Sequence, residues 1–217
     1  MNKETLRCVE LLKTLSDSDL EKVYAVTTEH KAKKNGTILL ADDPGKNVFF
    51  LIEGEAKVTM IGQDGKEFLL SIIEEGDFFG ELSALTGEDR SANVIAMTDC
   101  KLVLIPNEDF LHLLSQMPSL SMCLLKSMAL RLRASSFKLG EFALMDVTER
   151  VKQTLKSLAE SEVVNGVSRL VVHKRPTHVM LASMVGTSRE MVTRALSLLE
   201  ETGELKFDGK TVVFDKL

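Results

Sequence analysis

The sequence predicts an α+β chain in three parts. These are an N-terminal antiparallel β-barrel or jelly roll, one long helix, and a C-terminal pair of short helices closed by a small wing. Three observations predict it. Short β-prone segments recur at intervals near ten residues between about 27 and 105, each ended by a turn signal. After Pro118, about twenty-five residues carry apolar side chains at helical spacing. Thr177–Glu201 reads as two helices about a tight glycine turn.

Leu6, Val9, Leu12 and Leu15 recur at helical spacing, so residues 3–24 read as one or two short helices, with Ser16 or Ser18 as a cap. The strands follow. Thr37–Ala41 ends at Asp-Asp-Pro-Gly and Val48–Ile52 at Glu-Gly. Ala56–Ile61 ends at a Gly62–Lys66 hairpin turn and Glu67–Ile73 at Glu-Glu-Gly-Asp; Ser91–Met97 and Cys100–Ile105 complete the set. Residues 107–116 read as a helix capped by Asn107. The long helix, about 119–143, spans roughly 35 Å. Its apolar stripe is Leu120, Leu124, Met128, Leu132, Leu139 and Phe142. Such a helix beside a small barrel needs a partner for its outer stripe. A second copy of the chain in a two-fold dimer supplies one; packing within the subunit is the alternative. Asp146 caps a helix over 147–160, residues 161–168 read as a polar turn, Arg169–His173 as a strand, and Leu205–Phe214 as the wing. The expected domains are 1–117, 118–145 and 146–217.

Composition narrows the function classes. Apolar residues are 44% of 217, and with no Trp and one Tyr the cores must rest on Leu, Val, Ile, Met and Phe. No apolar run approaches the roughly eighteen residues of a membrane span, and Met1–Glu10 has no apolar signal core, so a cytoplasmic protein with no membrane partner is expected. Cys8, Cys100 and Cys123 are far apart, which points to three reduced thiols and no metal site. The net charge of −5 is divided unevenly: residues 1–145 carry −6 and residues 146–217 carry +1. The C-terminal part therefore permits nucleic-acid binding through local placement of charge. No nucleophile–base–orienter arrangement, metal-ligand spacing or P-loop is present, so no enzyme is expected.

Two stretches carry chemistry. From Gly80 to Ser91, an acid beside a glycine is linked to an arginine followed by a small hydroxyl residue. Arg90 and Ser91 offer donors for a phosphate, Gly80 permits close backbone approach, and Glu81 suits a ribose hydroxyl. Spacing alone leaves open a second reading, in which Glu81 and Arg90 merely pair across a loop. In the second stretch, Leu181, Met184 and Val185 pack inward and Ala182 permits close approach. Gly186 turns the chain, and Thr187 with Glu190 forms a capping-box pattern. The following helix buries Met191, Val192, Ala195, Leu198 and Leu199 and exposes Ser188, Arg189, Glu190 and Arg194. Arg189 matches guanine, Glu190 matches cytosine N4, and Arg194 reaches a base or a phosphate; for Glu190, capping alone is the competing role.

The pattern G-E-L-x7-R-S-A at 80–92 resembles the phosphate-binding cassette of cyclic-nucleotide-binding domains. RLRASSFKLGEFALMDVTER is similar to the long helix and hinge of bacterial cyclic-AMP receptor proteins, and GTSREMVTRALSLLEE with the wing extends the likeness. Nearly the whole chain resembles the cyclic-AMP receptor/fumarate–nitrate regulator superfamily. That resemblance implies a cyclic-nucleotide-binding antiparallel β-roll, a long dimerisation helix and a winged helix-turn-helix. It implies a homodimeric bacterial transcription regulator gated by cyclic AMP, with cyclic GMP the alternative effector. Its partners would be double-stranded DNA, in an inverted repeat of TGTGA-like half-sites, and RNA polymerase. By resemblance, Arg90 and Ser91 hold the cyclic phosphate, Glu81 binds the ribose 2′-hydroxyl, and Gly80 and Leu82 shape the cassette. Ser135 and Ser136 meet the base, the second from the partner subunit; Thr187, Ser188, Arg189, Glu190 and Arg194 meet DNA.

The sequence departs from the family pattern in three places. The link between Glu81 and Arg90 is shorter than in the usual bacterial receptor and has the eukaryotic-type spacing. Ser135 stands where threonine is usual. The first helix of the pair opens Thr177-His178-Val179-Met180 instead of Thr-Arg-Gln-Glu, which weakens two contacts to the DNA backbone. A regulator that no longer senses a ligand is the remaining alternative, and His30 and His112 find no support as haem ligands.

Overall fold

The computed structural model describes residues 2–62, 65, 67–164 and 167–214. The chain divides into two compact units, Met1–Leu132 and Arg133–Leu217.

The first unit opens with a 3-10 helix, Lys3–Cys8, followed by α1, Asp17–Ala25. Of the two serines before α1, Ser16 is the cap: its hydroxyl accepts from the Asp19 N–H. The strands are β1 (Thr28–Ala32), β2 (Thr37–Leu39), β3 (Asn47–Glu53), β4 (Ala56–Ile61), β5 (Glu67–Ile73) and β6 (Phe78–Phe79). A short helix, α2 (Glu81–Thr86), precedes β7 (Asn93–Ala96) and β8 (Cys100–Pro106). They form two four-stranded antiparallel sheets in the orders β1-β8-β3-β6 and β2-β7-β4-β5, the expected β-roll. In the Gly62–Lys66 turn, Gly65 N–H donates to Gly62 O; Gln63, Asp64 and Lys66 lie outside the described residues.

Strand β3 shows why an uninterrupted apolar run belongs here. Side chains alternate across a strand. Val48, Phe50 and Ile52 enter a core shared with Leu6, Leu20, Phe110 and Leu120. Phe49 and Leu51 enter a second core with Phe79, Val94 and Leu102. Both faces are dry, so both must be apolar.

Two helices follow: α3 (Asn107–Gln116) and α4 (Pro118–Leu144). Asn107 is not the cap of α3. Pro106 holds that position, and Asn107, the first helical residue, donates its amide to Gly45 O at 2.7 Å instead. The stripe on α4 also divides. Leu120 and Leu124 are buried, and Met128 packs against the same core, whereas Leu132 is exposed along with Met122 and Leu125. Steps of four residues overshoot a 3.6-residue turn, so three of them drift by about 120° around the helix.

The second unit takes the rest of α4 and adds α5 (Val147–Ser157), β9 (Glu160–Val164), β10 (Val167–Val172), α6 (His178–Val185), α7 (Arg189–Glu201), β11 (Leu205–Asp208) and β12 (Thr211–Phe214). Asp146 caps α5, accepting from the Glu149 N–H at 2.8 Å. Arg150 donates to Met145 O and Val185 O and lies over the Phe142 ring, tying the end of α4 to α5 and α6. The expected helix over 147–160 stops at Ser157. Much of the expected turn over 161–168 is strand, because Glu160, Ser161 and Glu162 pair with Val171, Leu170 and Arg169. The sheet order is β11-β12-β10-β9. The core takes Val151 and Leu155 from α5, Leu181 and Val185 from α6, and Val192, Leu196 and Leu199 from α7. Among the described residues, no helix is long and apolar enough to cross a membrane.

Candidate functional site

The cassette is assembled by β6, α2 and the segment leading into β7. Gly80 joins β6 to α2 with φ of 84°, a left-handed conformation that favours glycine. A Cβ added there would lie 2.7 Å from Arg90 Nη1, so the missing side chain is the space in which the guanidinium sits. Arg90 is buried and uses two of its N–H groups to donate to Gly80 O at 2.8 Å and Asn47 O at 2.6 Å. Its own N–H donates to Asp43 O, and its carbonyl accepts from the Asp42 N–H. The loop before β3 is thus stitched to the cassette by main-chain bonds.

Gly45 in that loop has no room for more. A Cβ there would lie 2.3 Å from Ser83 Cβ and 3.3 Å from Arg90 Cζ. Gly45→Ala should therefore destabilise the first unit by about 1–3 kcal/mol, the usual range for overpacking. A thermal-unfolding midpoint equal to that of the wild type would show that the loop yields.

Glu81 is 3% exposed and accepts from Arg131 Nη1 at 2.9 Å. Arg131, on α4, also donates to Phe78 O at 2.6 Å and lies over the Phe78 ring. Burial pushes the Glu81 carboxyl up from its ordinary value, while the charges of Arg131 and Arg90 pull it back down. The first unit therefore brings Gly80, Glu81 and Arg90 together, and adds Arg131. Leu82 and Ser91 flank them, exposed. Ser135 and Ser136 are exposed on α4, in the second unit. The donor set suits a cyclic phosphate bearing a ribose: a guanidinium, a glycine cradle and a carboxylate able to accept from a hydroxyl.

In the second unit, Gly186 closes α6 with φ of 64°, and α7 begins three residues later. The cap is Ser188, not Thr187: the Ser188 hydroxyl accepts from the Met191 N–H, while the Thr187 N–H donates to Ala182 O. With Ser188 as cap, Glu190 is not the third helical residue and cannot close a capping box. Its carboxyl lies below the ordinary value through bonds to its own N–H and the Ser188 hydroxyl. The buried face of α7 is Val192, Ala195, Leu196 and Leu199; Met191 and Leu198 are 39% and 47% exposed, contrary to expectation. Arg189, Glu190 and Arg194 are all exposed around the first turns of α7.

Residues 29–117 match the cyclic nucleotide-binding domain family, and residues 149–216 match the Crp-like helix-turn-helix domain family. The cAMP-activated global transcriptional regulator CRP of Salmonella typhimurium is 32% identical over 203 residues, covering 93% of this chain and 96% of that one. The chain belongs to the CRP/FNR family of transcription regulators. The cAMP-activated global transcriptional regulator Vfr of Pseudomonas aeruginosa is 34% identical over 199 residues, covering 89% and 92% of the two chains. The structure of the c-di-GMP responsive global regulator CLP of Xanthomonas campestris has the same fold, with a TM-score of 0.78 and 24% identity over 93% of this chain and 100% of that one.

As a CRP/FNR-family protein, the chain joins a cyclic nucleotide-binding domain to a helix-turn-helix domain. Sequence reasoning missed Arg131 at the first of these. The available signal was its place one helical turn before Ser135, on the same side of α4. It missed Asn47 as well, which acts through a main-chain carbonyl and leaves no side-chain signal.

Proposed function

We propose that the protein is a dimeric, cyclic-nucleotide-gated DNA-binding regulator whose effector is cyclic AMP. The observation that carries this reading is the pair of buried side chains Arg90 and Glu81 set about Gly80, with Arg131 of α4 bonded to Glu81. Arg90 and Ser91 hold the cyclic phosphate, Glu81 accepts from the ribose 2′-hydroxyl, and Gly80 and Leu82 shape the cradle. Ser135 and Ser136 serve as hydroxyl partners for the base, Ser136 from the second subunit. When nucleotide arrives, a ribose hydroxyl competes with Arg131 for the Glu81 carboxylate. The ligand thereby changes what α4 is bonded to, and a ligand that prefers one state shifts the population toward it. Two cAMP-activated relatives support cyclic AMP. The short cassette link and Ser135 favour cyclic GMP as the second reading.

The dimer reading is supported by Met122, Leu125, Leu132 and Leu139, all exposed on α4. Their steps of three, seven and seven residues fit a heptad seam. Thr187, Ser188, Arg189, Glu190 and Arg194 then read TGTGA-like half-sites about one DNA turn apart, near 34 Å. In functional terms the chain divides into 1–117, 118–145 and 146–217, acts in the cytoplasm, and meets RNA polymerase at the promoter.

The test is fluorescence anisotropy of a labelled TGTGA-type inverted repeat at fixed salt, without ligand, with cyclic AMP and with cyclic GMP. Cyclic AMP should tighten binding by about tenfold or more. Equal affinity in all three conditions would overturn gating, and tightening by cyclic GMP alone would reassign the effector.

A further inference from the structure

His178 opens α6 at the point where this sequence departs from the family pattern. Its ring is half-buried, and Nδ1 lies 2.9 Å from Thr193 Oγ1 on α7. The same Thr193 hydroxyl donates to Arg189 O at 3.0 Å. A hydroxyl has one proton to give. With that proton committed to the carbonyl, Thr193 Oγ1 accepts from the imidazole, and Nδ1 carries the hydrogen. In the neutral ring, Nε2 is then left with a lone pair. Two cationic groups act on this ring: Arg175, from the segment before α6, and Arg189, at the start of α7. Burial, followed by these two charges, holds the imidazole below its ordinary value of 6.5 and so favours the neutral ring.

Duplex DNA brings phosphates to the start of α6 and α7, where half-buried His178 is tied to Thr193 and Arg189 is exposed. We propose that His178 is a DNA-backbone contact made by proton uptake: a phosphate lying against the start of α6 draws a proton from solvent onto Nε2, which then donates to a phosphate oxygen. Thr193 fixes the ring so that this nitrogen is the one that titrates. This proposal rests on the DNA-binding reading above. It turns a position that looked like a lost contact into a conditional one.

The sign follows from linkage. The complex binds one more proton than the free protein, so affinity rises as pH falls through the window between the free pKa, below 6.5, and the higher pKa of the complex. Within that window the dissociation constant falls by up to about tenfold per pH unit for one proton.

The test measures anisotropy on the inverted repeat and on a random duplex at low salt, with saturating cyclic nucleotide, from about pH 8.5 to pH 6. Wild-type affinity should rise several-fold per pH unit on both duplexes. His178→Arg should bind tightly with no slope, because its charge is permanent. His178→Gln should flatten the profile, and its salt slope near pH 6 should be lower by about one. Calorimetry in two buffers of different ionisation enthalpy should count close to one proton taken up by the wild type and none by His178→Gln. A flat wild-type profile, or a slope that survives in His178→Gln, overturns the proposal and leaves the DNA reading standing. No binding to either duplex at any pH overturns both.

Discussion

Replacing Arg90 with leucine should lower cyclic-nucleotide affinity by at least about 100-fold while the first unit still folds. The expected loss has a simple source. A phosphate bound by a guanidinium gains charge-assisted hydrogen bonds of about 1.5–3 kcal/mol each, and leucine offers none. The fold is affected through different bonds. Leucine also strands Gly80 O and Asn47 O, which now accept from Arg90. Each buried carbonyl without a donor costs about 1–3 kcal/mol, less where water reaches it. Calorimetric titration and thermal unfolding separate the two effects. Unchanged nucleotide affinity would remove Arg90 from the binding site. A variant unfolded at room temperature would show that the two carbonyl bonds hold the loop more strongly than expected.

The second large effect is expected at Arg189. Arg189→Ala should cost about 1–3 kcal/mol of discrimination between the cognate repeat and random duplex. Alanine is a good helix former, and the bonds that hold the start of α7 are made by the Ser188 side chain and the Arg189 main-chain carbonyl, which the substitution keeps. The loss should therefore report base reading and not a damaged helix. Equal weakening on cognate and random DNA would reassign Arg189 to the phosphate backbone. The same variant removes one of the charges that hold His178 neutral, so its pH profile should move to higher pH.

For the strands, what the sequence revealed depended on how much apolar surface each one buries. Strands buried on two faces announce themselves, as β3 does through Val48-Phe49-Phe50-Leu51-Ile52. Strands β1 and β9 did not, and each lies at the edge of its sheet. β1 is Thr-Glu-His-Lys-Ala and mostly exposed, and β9 begins Glu-Ser-Glu; both are held by main-chain pairing to an apolar neighbour. Edge strands favour charge, which protects an open edge and erases the hydrophobic pattern. Helix α2 hid for another reason: six residues between two left-handed glycines are too few for a period to show. At the site, Gly80, Glu81 and Arg90 were legible because chemistry restricts the residue types. Arg131 was not, because its role depends on α4 passing Glu81, which is a tertiary fact.

Two donors of the Arg90 guanidinium already have acceptors, in Gly80 and Asn47. One side chain thus carries two duties: the guanidinium that would read a phosphate also ties the loop before β3 to the cassette, so ligand recognition and local folding cannot be varied independently at this position.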